Sequence, residues 1–108
     1  DNVWFKYSAS EDYTLKDINF TAKVGEITAI VGPTGSGKTT LLNLIPRFYD
    51  PQKGKVLFDG TDICDVTIAS LRKILGVVTQ EVILFNDTVK ANIAYGKLDA
   101  SDKEIEDA

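Results

Sequence analysis

The segment Gly32-Pro33-Thr34-Gly35-Ser36-Gly37-Lys38-Thr39 constrains this chain more than any other. Three glycines and a proline within six residues cannot continue a strand or a helix, so the segment is a tight loop. Its flanks are as informative as its glycines. Ile27-Thr28-Ala29-Ile30-Val31 is a β-branched, nearly continuous apolar run, which predicts a strand buried on both faces of a parallel sheet. After the loop, Leu41, Leu44 and Ile45 recur at i, i+3, i+4, with Leu42 alongside. That spacing predicts a helix, which Pro46 ends or kinks.

A loop of spacing G-x-x-x-x-G-K-[ST] between a strand and a helix suits one kind of ligand. The glycines let successive backbone N–H groups converge on an anion. The helix adds its positive N-terminal end. Lys38 supplies a point charge for β- and γ-phosphates, and the Thr39 hydroxyl is a ligand for Mg²⁺. Gly37 avoids a Cβ where a phosphate would lie close. The predicted nucleotide-binding set is Gly32, Pro33, Thr34, Gly35, Ser36, Gly37, Lys38, Thr39 and Thr40.

The rest of the chain reads as alternating strands and helices. Val3-Trp4-Phe5-Lys6-Tyr7 alternates, with Val3, Phe5 and Tyr7 on one face, and predicts a strand. Asp17 to Val24 alternates again through Ile18, Phe20 and Ala22. Val56-Leu57-Phe58 predicts a strand closed by the turn Asp59-Gly60. Ile68, Leu71 and Leu75 predict a short helix with Arg72 and Lys73 outward, ended by Gly76. Val77-Val78-Thr79 predicts another buried strand. Asn86-Asp87-Thr88 offers N-caps for a helix over 89–95, and Ser101 with Glu104 forms a capping-box pattern before a last helix. The class is α/β, with an antiparallel β portion over 1–24 and an α/β core part over 25–108.

Composition narrows the chemistry. The 108 residues carry 12 Lys+Arg against 16 Asp+Glu, a formal charge of −4. That balance argues against a nucleic-acid partner, which needs a basic face. One cysteine, Cys64, leaves no intrachain disulfide and no cysteine metal cluster, and points to a reducing compartment. With no histidine, the commonest catalytic base and metal ligand is absent from these residues. No apolar run approaches the length of a membrane span, and no signal peptide is visible. With no methionine in it, the chain is expected to be a processed or excised piece.

From the loop outward, the residues resemble the nucleotide-binding domain of ATP-binding cassette (ABC) transporters. The resemblance runs through Ala29–Leu42, then Leu44-Ile45-Pro46-Arg47-Phe48-Tyr49-Asp50-Pro51, Gly54 and Asp59-Gly60-Thr61-Asp62-Ile63. It continues in Ser70-Leu71-Arg72, Val77-Val78-Thr79-Gln80-Glu81 and Leu84-Phe85-Asn86-Asp87-Thr88-Val89, ending at Asn92-Ile93. The Arg-Phe-Tyr-Asp-Pro and Leu-Phe-Asn-Asp-Thr-Val elements are similar to the exporter branch. The resemblance implies a P-loop NTPase fold, present in part, and ATP with Mg²⁺ as ligands. Tyr7 matches the aromatic that stacks on adenine, although it shares a face with Val3 and Phe5 and also suits a core. Trp4 and Tyr13 are its rivals. Gln80 matches the Q-loop glutamine, implying a catalytic and Mg²⁺-ligating role beside the catalytic Lys38. Asp59 and Asp62 are read as turn carboxylates rather than Mg²⁺ ligands.

The same resemblance implies partners: a transmembrane domain contacted near Glu81–Thr88, and a second nucleotide-binding domain that sandwiches ATP. It places the domain at the cytoplasmic face of a membrane. The Walker B carboxylates, the signature sequence and the switch histidine are not found among these residues, so ATP binding without efficient hydrolysis is expected of the 108 residues alone. The unpaired sheet edges that remain predict a marginal, self-associated or partner-stabilised chain. Two alternatives stand beside a transporter motor: a soluble ABC-type ATPase without transport, and a regulatory nucleotide-binding domain.

Overall fold

A computed structural model describes residues 1–79, 81 and 83–108. The chain divides into two units, Asp1–Val77 and Val78–Ala108.

In the first unit, strands β1 (Val3–Phe5) and β2 (Leu15–Ile18) pair antiparallel, with Val3 opposite Ile18 and Phe5 opposite Leu15 and a register shift between. The other edge of β1 is closed by non-local bonds. Trp4 N–H donates to the Lys53 carbonyl at 3.0 Å, and Gln52 N–H to the Trp4 carbonyl at 3.0 Å. The Gln52 side chain extends that edge: its Oε1 accepts from Lys6 N–H at 2.8 Å and its Nε2 donates to the Lys6 carbonyl at 3.1 Å. Backbones come so close here that a Cβ on Gly54 would lie 2.2 Å from the Asn2 carbonyl oxygen. Glycine is the residue such an approach requires.

Helix α1 (Lys38–Leu44) packs onto β1 and β2 through Leu44, fully buried with Val3, Phe5 and Leu15, while Tyr7, Ile18, Leu41 and Val56 pack around them. A small hairpin, β3 (Leu57–Phe58) with β4 (Thr61–Asp62), turns at Asp59-Gly60, both left-handed. The turn reading of Asp59 holds, and Asp62 accepts from Cys64 N–H at 3.0 Å, capping a 3₁₀ turn over Ile63–Asp65. Helix α2 (Ile68–Lys73) is capped by Thr67 and buries Leu71.

Arg47 and Arg72 tie these pieces together. Arg47 adopts a left-handed φ of 54°, uncommon for a residue with a Cβ. Its guanidinium donates to Asp50 at 2.7 Å and to the carbonyls of Ile63 and Val66 at 3.1 and 3.2 Å. The Asp50 hydrogen bond raises the Arg47 pKa, and the same bond holds the Asp50 carboxyl below its usual range. Arg72, expected to point outward, instead donates to the carbonyls of Pro46 and Arg47 and lies over the Phe48 ring at 5.0 Å. Carbonyls left over where α1 ends are a stronger draw than solvent for a fork of donors.

Two predicted strands do not form. Ile27–Val31 has no strand pairing; Ile27 is 100% exposed and Val31 88%. Val77–Thr79 has none either, with Val78 at 99%. A strand exists only where another backbone pairs with it, and no described segment does so here. The second predicted strand is also shorter than expected. β2 ends at Ile18, and Phe20 is half exposed.

The second unit holds α3 (Val89–Ala94) and α4 (Asp102–Asp107). Thr88 caps α3 by accepting from Ala91 N–H. Asn92 reaches back to bond both the N–H and the carbonyl of Phe85, at 2.8 and 3.1 Å, and Phe85 stacks on Tyr95 at 4.4 Å. The predicted capping box is formed by Ser101 and Glu104. Lys97 donates to Glu104 at 2.6 Å, and with the Ser101 bonds this holds the Glu104 carboxyl at a pKa of about 2.

Candidate functional site

The loop of residues 32–37 wraps back on itself before α1. Ser36 N–H donates to the Pro33 carbonyl at 3.2 Å, closing a turn. Gly35 and Gly37 take φ values of 83° and 88°, which favour glycine. At Gly37 there is a second reason: an added Cβ would meet Leu15 Cδ2 at 2.8 Å and the Thr14 carbonyl oxygen at 3.4 Å. A side chain at position 37 would therefore crowd Leu15 of β2, whether or not a phosphate lies near. At Gly32 a Cβ would fall 2.8 Å from the Ser36 hydroxyl.

Gly37 is also the N-cap of α1, and no side chain caps that end. The first N–H groups of a helix have no intrahelical acceptor. Here no side chain supplies that acceptor. The Lys38 ammonium lies across the loop. Its Nζ donates to the Gly32 carbonyl at 2.8 Å and the Pro33 carbonyl at 2.7 Å, with Ser36 Oγ at 3.5 Å. Its three donors thus all have acceptors within residues 32–36, which holds the positive charge against the loop.

The two threonines after Lys38 part company. Thr39 is exposed, so its hydroxyl is available to a ligand. Thr40 is 7% exposed, and its Oγ1 lies 3.1 Å from the Tyr7 hydroxyl. Tyr7 is half-buried against the core, and its ring meets Phe5 and Tyr49 edge-to-face at 5.0 and 5.2 Å. The rival aromatics are engaged elsewhere. Trp4 meets Tyr13 edge-to-face, Lys53 sits over Trp4, and Lys6 sits over Tyr13. Gln80 lies outside the described residues.

Sequence reasoning saw the loop but not what surrounds it. The Tyr7–Thr40 bond spans 33 positions, and no local pattern announces it. The Arg47 and Arg72 tethers to backbone carbonyls were likewise invisible in local spacing.

Among the described residues no cluster of three His, Cys, Asp or Glu side chains could hold a metal. The exposed Thr39 hydroxyl is an oxygen donor that would fit Mg²⁺ were the ion to take its other ligands from phosphate and water. Among the described residues no helix is long and apolar enough to cross a membrane.

Residues 15–108 match the ABC transporter family. The chain is 54% identical over 107 residues to an ATP-dependent lipid A-core flippase of Syntrophus aciditrophicus (strain SB), covering 99% of this chain and 18% of that protein. It is 53% identical over 105 residues to the mitochondrial iron-sulfur clusters transporter ATM1 of Debaryomyces hansenii, covering 97% of this chain and 15% of that protein. A solved bacterial Atm1-family ABC exporter with ATP bound superposes with a TM-score of 0.90 at 48% identity, over 95% of this chain and 18% of that one. The chain thus spans under a fifth of the length of the relatives it matches.

Proposed function

Because this chain belongs to the ABC transporter family, we propose that it binds ATP through the loop of residues 32–39 as part of the motor domain of an exporter. The observation that carries the reading is the Lys38 ammonium, held by the Gly32 and Pro33 carbonyls in the loop that precedes a helix whose first turn no side chain caps. The loop amides of 35–40 and the ammonium surround the phosphates, where fixed donors act without reorganising. Tyr7 receives the adenine, an attraction that any flat base can share. Thr39 takes Mg²⁺, which when bound neutralises phosphate charge. Gln80 is assigned its metal and catalytic role on family resemblance alone.

Hydrolysis and transport belong to the whole protein. There we propose that two such domains close on ATP, and that the segment Glu81–Thr88 meets a transmembrane domain from the cytoplasmic side. Relatives named for two different cargoes, lipid A-core and iron-sulfur clusters, stand at 54% and 53% identity. That near-equality supports cargo choice residing outside this segment.

Titration with Mg²⁺-ATP tests the reading. Lys38→Ala is expected to weaken binding by about 10- to 100-fold, the size of a lost charge-assisted contact. Equal affinity in a variant with an unchanged circular dichroism spectrum would remove the basis of the proposal.

A further inference from the structure

We propose that Thr40 is a positioning residue: its hydroxyl anchors Tyr7 to α1 and so sets the base platform at a fixed place relative to the phosphate loop. This rests on the nucleotide reading above and assigns Thr40 a task distinct from touching phosphate.

Thr40 stands on α1 two positions after Lys38, so its Cα moves rigidly with the cradle. Its side chain points away from solvent and is 7% exposed. A buried hydroxyl needs a partner, and this one has the Tyr7 hydroxyl at 3.1 Å. The ring of Tyr7 is otherwise held by Phe5 and Tyr49, at interplanar angles of 84° and 89°. Both are edge contacts and neither ring stacks on Tyr7, so they set the tilt of the ring without joining it to the loop. Tyr7 also packs on the cluster that holds Leu44 of α1, and the hydroxyl pair is the hydrogen bond that fixes its position along that helix. Base and phosphates are linked through one sugar of fixed reach, so platform and cradle add their affinities only when held in register. Trp4 and Tyr13 have each other and two lysines as neighbours, and no described hydrogen bond runs from either side chain to α1.

The measurement is the ratio of affinities for ATP and inorganic triphosphate, which lacks base and sugar, in the intact protein. Thr40→Val is expected to lower that ratio about 3- to 10-fold, the range of one hydrogen bond. Thr40→Ser is expected to restore it. Tyr7→Phe, which keeps the ring, should lower it equally, and combining Tyr7→Phe with Thr40→Val should add nothing. Equal weakening of ATP and triphosphate in Thr40→Val would assign Thr40 to the phosphates and overturn the proposal. A ratio that falls in Tyr7→Ala but not in Thr40→Val would overturn the positioning role alone. An unchanged ratio in Tyr7→Ala would overturn the adenine platform itself, and this inference with it.

Discussion

Residues 27–31 and residues 32–44 are neighbours in sequence with equally strong local signals, and they have opposite fates. The loop and α1 form as expected and bury Leu44 completely. The apolar run before them forms no strand and leaves Ile27 wholly exposed. The difference is where each finds its hydrogen bonds. A loop turn and a helix close theirs within a few residues, as Ser36 to Pro33 and Leu41 to Gly37 do. A parallel strand closes none of its own and depends on chain brought from a distance. Apolar pattern announces burial; it does not supply the neighbour.

Gly37→Ala attacks the locally closed side of that contrast and carries the largest expected effect. The new Cβ meets Leu15 and is forced to a left-handed φ, so a loss of about 1–3 kcal/mol is expected in denaturant unfolding. Gly25→Ala is the control, since its φ of 78° is similar but nothing lies within 4 Å of its Cβ. A loss at Gly37 no larger than at Gly25 would show that the loop does not rest on β2.

A second locally closed element sharpens the contrast through pH. The folded-state pKa of Glu104, about 2, lies below its ordinary 4.5. A depressed carboxyl contributes stability that is fully present above the ordinary value and is lost as pH falls through the folded one. Amide-exchange protection over 102–107 is expected to hold above pH 4.5 and to fall as pH drops toward 2. Glu104→Gln should flatten that dependence. A profile unchanged by the substitution would assign the pH response elsewhere.

The smallest effect is expected on the open side. Val31→Ser removes apolar surface that is already in water, so these 108 residues should change by no more than about 0.5 kcal/mol. In a full-length relative-sized protein the same substitution should cost more, if other chain covers this segment. A large loss in the 108 residues would mean that Val31 is buried, and the comparison would fail.

Much of the local structure, the candidate loop included, was legible because its hydrogen bonds are local. The loop, the start of α1, the Thr88 cap and the Ser101–Glu104 box all read directly from short spacings. The side of Gly37 that faces Leu15, the edge made by Gln52 on β1, and the inward fold of Arg72 did not. Each depends on a segment many residues away, and periodicity carries no record of which segment that is.

By itself, then, the sequence determined the loop proposed to hold phosphate: glycines that permit the turn, a lysine and a threonine placed by the helix that follows. Tertiary structure alone decided that Thr39 faces solvent while Thr40 turns inward to Tyr7, and that Ile27–Val31 stays unpaired. The physical reason is range. Backbone conformation and capping are settled within a turn or two, whereas burial and strand pairing depend on which distant groups arrive to satisfy them.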